Sequence, residues 1–514
     1  MSRTRRFVSG ISFGYASQVL TTLVGLWLVP FLLHRVGQHD YGLWLMGTQL
    51  MFYLALLDLG VVALLPRETA LITGRVDNSG RAEALTEMIG QTARLALWQT
   101  LVIALGAVIV WLLIPTAWGS LRWPLGIVLL GFVLVFPLRV LQGVLYGLQE
   151  LAFLAKAQIC TWLVSTGLTI GLIFAGLGLY ALAIGWVAAQ VLIIPILWYR
   201  LRERYPGVLP ARLPSLSWKT ARGRLTHGLW ISTSQMAQVL LFGTDILIIG
   251  KLLGPAAVVP YACTGKLISV LVNQPQLLLQ AAAPALTEMR AGETRDRVLR
   301  VCIALGQAML IIGGAIVCVV LVVNQSFVEW WVGRELYGGF WLTTLFLANM
   351  LLRQWNLTIR CTLYCFGLDR HLTLTLLFDG IISAGLILLL VPLFGLTGGM
   401  IGSIIGVVLI GLPCNLVALA RETGVSITYL LTPLWPWFWR FSLIALGAGF
   451  VARVWVPKGA FALAASAISA AAIYSLMMLP FVWRSSLRIY VRPWLPASLM
   501  RFFQGAAPGQ PDVT

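Results

Sequence analysis

The chain has 514 residues, 59% hydrophobic and only 11% charged, too little polar surface to cover a soluble core of that size, so a water-soluble domain is excluded. A formal net charge of +18 then reads as orientation against anionic headgroups and not as affinity for nucleic acid. The seven cysteines fall inside apolar runs, act as small apolar residues and predict no disulfide.

About fourteen apolar runs of roughly 20 residues, each long enough to cross a hydrocarbon core of about 30 Å, predict an all-α polytopic membrane protein. The first, Phe7 to Leu33, follows Arg3, Arg5 and Arg6. It is too long for a signal peptide and lacks a small-residue cleavage site, so it is read as a retained helix. Residues Arg67 to Arg94, mixed in charge, read as a connector with a surface helix. Gly167 and Gly171, and later Gly402 and Gly406, have the spacing that lets membrane helices approach closely. The expected divisions are a first lobe at 1–199, a basic Pro-rich linker at 200–228, a second lobe at 229–420, two further helices at 421–483, and a disordered cytoplasmic tail at 484–514. Trp435, Trp437 and Trp439 open the thirteenth run as an interfacial aromatic belt.

The lobes follow from a repeat. Gly10, Gly37, Tyr41 and Pro66 recur as Gly228, Gly254, Tyr261 and Pro284 at displacements of roughly 217 to 220 residues. Two pseudo-symmetric six-helix lobes plus two C-terminal helices are therefore predicted. By count, roughly 24 of the 36 Lys and Arg residues lie at the tails and in alternate connections. The opposite connections hold only Arg35, Arg122, Lys251, Arg334, Arg453 and Lys458, which predicts both termini to be cytoplasmic.

An ionisable side chain within a span costs a few kcal/mol unless it is paired or faces water, so each is a functional candidate. The set is Asp58, Arg139, Lys156, Asp245, Lys266, Arg353, Arg360, Asp379 and Arg440. At about 1.5 Å per residue, Asp58 lies level with Arg139 and Lys156, Asp245 with Lys266, and Asp379 with Arg360, so structural pairing accounts for much of the set. Arg353, near the midplane, has no acid at its level and calls for an anion or a water-filled cavity. Three polar stripes at helical spacing point the same way: Asn349, Arg353, Asn356, Arg360 and Tyr364; Lys266, Ser269, Asn273, Gln276 and Gln280; Ser232, Gln235, Gln238 and Asp245. Helix-to-helix hydrogen bonding explains any single amide, whereas three stripes together fit a hydrated chamber. No phosphate-cradling loop occurs, since Gly250-Lys251 and Gly265-Lys266 are each followed by Leu, and the four histidines lack metal-ligand spacing. No catalytic residue, cofactor or metal is assigned.

The opening stretch resembles the polysaccharide transporter family, the Wzx-type oligosaccharide flippases, within the superfamily that also holds lipid II flippases and multidrug and toxin extruders. The resemblance lies in Val36-Gly37, Tyr41-Gly42-Leu43-Trp44, Leu57-Asp58-Leu59-Gly60, the run from Asp245 to Gly250, Leu253-Gly254 and Tyr261. It implies two lobes around a cavity that opens alternately to either side, with two extra helices. The implied substrate is an undecaprenyl-diphosphate-linked oligosaccharide crossing the bacterial inner membrane for O-antigen, capsule or exopolysaccharide synthesis. Implied partners are H⁺ or Na⁺ as coupling ion and a polysaccharide polymerase with its chain-length machinery. On this reading Arg353, Arg360, Arg139, Lys156, Lys266, Asn349, Asn356, Asn273, Gln276 and Gln238 contact diphosphate and sugar, and Asp58, Asp245 and Asp379 are the ion-coupling candidates. The first span carries no charge between its opening arginines and Arg35, unlike the lipid II branch. A multidrug or cation antiporter remains an alternative, although five bases against three acids disfavour a cationic cargo. A membrane glycosyltransferase or polymerase is the alternative from another class; its catalytic acids would have to be Glu329 and Glu335 in the longest outer connection.

Overall fold

The computed structural model describes residues 3–75, 78–210, 212–215, 218–292, 295–485 and 487. Among these no strand occurs, because long apolar runs in lipid must satisfy every backbone group within the segment. In chain order the helices are α1 (Arg3–Val36), α2 (Gln38–Ala55), α3 (Val61–Arg75), α4 (Asn78–Leu112), α5 (Gly119–Val135), α6 (Arg139–Gly147), α7 (Leu151–Phe174) and α8 (Leu179–Arg204). There follow α9 (Trp218–Phe242), α10 (Thr244–Leu252), α11 (Pro255–Gly292), α12 (Arg295–Trp331), α13 (Phe340–Cys365), α14 (Asp369–Phe394) and α15 (Leu396–Gly406). The last four are α16 (Leu412–Thr423), α17 (Ile427–Leu431), α18 (Trp435–Val454) and α19 (Ala460–Arg484). The tail from residue 488 lies outside the described residues.

Among the described residues, eleven helices are long and apolar enough to cross a membrane, or up to thirteen when each of two bent pairs is taken as one span. The bent pairs are Gln38–Asp58 with Val61–Gly74, at 55°, and Ala221–Phe242 with Thr244–Leu252, at 44°. Of the expected runs, α13 is the one outside this set. Its 26 residues reach far enough, but Asn349, Arg353, Gln354, Asn356 and Arg360 dilute its apolar character. The expected separate surface helix near residue 80 is instead the beginning of α4, which runs unbroken into the bilayer-length segment. Of the expected linker at 200–228, the described residues up to Arg204 and from Trp218 onward are helical, and those of 205–215 are not.

Helices gather into two compact units: Met1–Cys263 with Trp331–Gly338 and Thr373–Gly406, and Thr264–Trp330 with Gly339–Leu372 and Val407–Thr514. In the first unit α5, α7 and α8 pack together and α3 packs on α6, around a core that includes Leu43, Leu121, Leu125, Phe136, Val144 and Leu145. The segment after α8 is strapped to α4. Thr86 Oγ1 donates to the Gly207 carbonyl (2.6 Å), Arg94 to the Pro214 carbonyl (2.8 Å), and Arg224 bonds Thr92 and lies 3.8 Å from Glu68. In the second unit the extra helices are held by Tyr474, Trp437 and Phe441: the Trp437 indole donates to the Tyr474 hydroxyl at 3.3 Å and stacks on Phe441 at 4.7 Å. The repeat landmarks also agree locally. Gly37 and Gly254 both adopt left-handed φ values, 89° and 93°, ahead of α2 and α11, and Tyr41 and Tyr261 are both buried.

Candidate functional site

Three interruptions in the first unit meet at one cavity. The α2–α3 span breaks at Leu56–Asp58, with Leu59 at φ 49° and Gly60 at φ 70°. Leu59 carries a strained left-handed conformation, which costs about 1–2 kcal/mol. Local bonds offset it: Gln99 Nε2 donates to the Asp58 carbonyl at 2.7 Å, and the Val62 N–H donates to Asp58 Oδ1 at 3.2 Å, so the carboxylate caps the start of α3. Gly60 crosses Gly228 backbone to backbone, where a Cβ on Gly60 would stand 2.5 Å from the Gly228 carbonyl oxygen. The second break, Gly243, lies against Gln49 Oε1, 2.6 Å from where a Cβ would be. In the third, Pro137 ends α5 in a tight turn, and Arg139 begins α6.

The cavity, about 560 Å³, is lined by Gln49, Asp58, Arg139, Gln235 and Gln238, with Phe52, Leu56, Phe242 and Gly243 among its apolar walls. Asp58 is 8% exposed. Among the described residues, the amides of Gln49, Gln235 and Gln238 and the guanidinium of Arg139 make no hydrogen bond. Arg139 instead lies over the Phe132 ring at 5.9 Å and within electrostatic range of Asp58. One acid, one base and three amides with open valences suit a polyhydroxylated ligand bearing an anionic group.

Other sequence candidates scatter. Lys156 is exposed on α7. Asp245, just past the Gly243 break, accepts hydrogen bonds from the Tyr261 hydroxyl and the Ile246 N–H, so its stripe with Ser232, Gln235 and Gln238 bends rather than running straight. Asp379 is buried on α14, accepts from Ser383 Oγ at 3.1 Å and packs where Gly406 leaves no room for a Cβ. In the second unit, Arg353 Nε donates to Asn349 Oδ1 at 3.2 Å, and Asn356 accepts from Asn415 at 2.8 Å. Arg360, Lys266 and Gln276 are half-buried and Asn273 is exposed; the side chain of Gln280 lies outside the described residues. Arg440 donates to the Pro436 carbonyl and covers Trp439, as an interfacial arginine does. Sequence reasoning missed Gln49, a lone amide in an apolar run whose only signal was its isolation there.

Comparison with known proteins bears on what such a cavity serves. Residues 95–335 match a family described as polysaccharide biosynthesis protein. No curated protein matches the chain. Among solved structures, an inward-facing multidrug resistance MATE family transporter of the MOP superfamily superposes with a TM-score of 0.63 at 15% identity, covering 78% of this chain and 94% of its own. An outward-facing one gives 0.57 at 15%, covering 83% and 95%. The chain has the MOP-superfamily transporter fold. A third structure with that fold, a MOP superfamily transporter from Pyrococcus furiosus described as having a binding pocket of reverse polarity suggesting a different function, gives 0.52 at 14% identity and covers 83% and 95%. The solved structures show the fold, and the family match spans residues 95–335, a little under half of the chain.

Proposed function

We propose that the protein moves an undecaprenyl-diphosphate-linked oligosaccharide from the cytoplasmic to the outer leaflet of the bacterial inner membrane by alternating access, in the synthesis of O-antigen, capsule or exopolysaccharide. The observation that carries this reading is the cavity where both bent spans break: Arg139 faces it without a hydrogen bond among the described residues, beside three equally open amides. In lipid such a guanidinium costs several kcal/mol unless water or an anion meets it, and broken spans in transporters mark the binding site. Amides and a carboxylate serve sugar hydroxyls, the arginine serves phosphate, and the prenyl tail stays in the bilayer. The polysaccharide-biosynthesis match supports the glycan half of the reading and the fold supports the transport half. A cationic drug would meet Arg139 unfavourably, and the Pyrococcus furiosus relative illustrates that pocket polarity differs within this fold. Asp58, Asp245 and Asp379 are proposed to couple transport to H⁺ or Na⁺, and a polymerase with its chain-length machinery is proposed to take the product.

Arg139→Ala is expected to cut surface polysaccharide at least tenfold, the loss of one or two charge-assisted hydrogen bonds, with lipid-linked glycan accumulating on the inner leaflet at normal protein abundance. Arg353→Ala, on α13, is expected to act in the same direction. Unchanged surface polysaccharide in both variants would sink the proposal.

A further inference from the structure

Next to the 560 Å³ cavity lies a smaller one of about 220 Å³, and Phe52, Ala55 and Arg139 line both. Its remaining walls include Trp44, Phe132 and Trp186. At about 30 Å³ per water it holds roughly seven waters, room for one sugar ring and not for a chain of them. Thr48 also borders it, but its hydroxyl is already given to the Leu45 carbonyl at 2.7 Å.

Two observations point to a ligand. The indole N–H groups of Trp44 and Trp186, both half-buried on the cavity wall, meet no acceptor among the described residues and are open to one within the cavity. Arg139, at the junction of the two cavities, has five N–H donors and no acceptor among those residues.

We propose that the smaller cavity is a subsite for a single pyranose ring bearing an anionic group. The subsite rests on the glycan reading above and narrows it. Aromatic walls pack against the C–H face of the ring, the two indoles donate to ring hydroxyls, and Arg139 at the mouth takes a phosphate or carboxylate through its planar fork. A neutral ring leaves that guanidinium unanswered. The anion has two possible sources: the phosphate that joins the first sugar to its carrier, or the carboxylate of a uronic acid within the glycan.

The test uses the full chain in lipid nanodiscs and saturation-transfer NMR with glucose 1-phosphate, glucuronate and glucose as separate probes. At least one of the two anionic probes is expected to show saturation at its ring protons, at least fivefold above glucose. Trp186→Leu and Arg139→Gln should each reduce that signal fivefold or more, whereas Trp186→Phe, which keeps the aromatic wall but loses the indole donor, should reduce it by less than that and so controls for folding. A signal from glucose 1-phosphate alone assigns the phosphate source, one from glucuronate alone the uronate, and one from both the shared chemistry. The subsite is overturned if glucose matches the anions, if no probe binds, or if binding survives Trp44→Leu combined with Trp186→Leu. If the anionic ring binds as described while Arg139→Ala and Arg353→Ala cells both still export polysaccharide, the transport reading fails and the subsite stands. If export depends on Arg139 while no probe reaches Trp186, the subsite fails and the transport reading stands.

Discussion

Glu150, between α6 and α7, is held by three side chains. Arg200 and Arg204 reach it at 2.9 and 3.1 Å and the Tyr205 hydroxyl donates at 3.0 Å, so the start of α7 is tied to the end of α8. Burial pushes the carboxyl up, but the bonds from Arg200 and Tyr205 and the charges of both arginines outweigh it and hold Glu150 below the usual carboxylate range. A carboxylate lowered on folding stabilises the fold above its unfolded value, about 4.3 for Glu, and the contribution vanishes as pH falls through the lower folded value. Glu150→Gln is therefore expected to lower the thermal midpoint by a few degrees at neutral pH, with the gap to wild type closing below about pH 4; a constant gap across that range would refute the latch. Among single residues, charged positions such as Arg139 were legible because an ion in an apolar run stands out. Gln49 and Trp186 were not, since a lone amide and a tryptophan in a span read as packing until a cavity is placed beside them.

At the scale of elements, run length located the spans but not their breaks. Asp58-Leu59-Gly60 lies within an apolar run and Leu59 is no helix breaker; what holds the bend is the crossing with Gly228, remote in sequence, together with the Gln99 and Val62 bonds. The two copies of the repeat differ here: the first bends its second span, the second copy bends its first span at Gly243, and α11 runs on unbroken. Gly60→Ala adds left-handed strain of about 1–2 kcal/mol to a Cβ overlap with backbone that cannot move aside. It is expected to lower the detergent thermal midpoint clearly, while Gly25→Ala, with nothing within 4 Å of the new methyl, should match wild type. Equal midpoints for both variants would mean that the crossing does not hold the bend.

For the whole molecule, the distribution of apolar surface shows where lipid lies. Trp98, Leu101, Leu105 and Leu112 on α4, and, in the other unit, Leu443, Leu446 and Phe450 on α18, are exposed by 58% or more, as lipid-facing helix stripes are. How often the chain crosses then turns on α13. Thirteen spans without it would put the two termini on opposite sides; counting α13 as a fourteenth puts them on the same side. Its polar residues are compatible with crossing because a helix can carry Arg353 and Asn356 through a bilayer when they meet partners, as Arg353 does with Asn349 and Asn356 with Asn415. The basic strap, with Arg200, Arg202, Arg204, Arg212, Lys219, Arg222 and Arg224 in or beside it, is expected to mark the cytoplasmic side. Reporter fusions at Gly338 and Leu368 test both points at once: α13 crosses if a periplasm-active phosphatase works at Gly338 and a cytoplasm-folding fluorescent protein works at Leu368. The same reporter active at both positions would leave α13 on one side of the membrane, and phosphatase activity at Arg212 would reverse the orientation drawn from the basic strap.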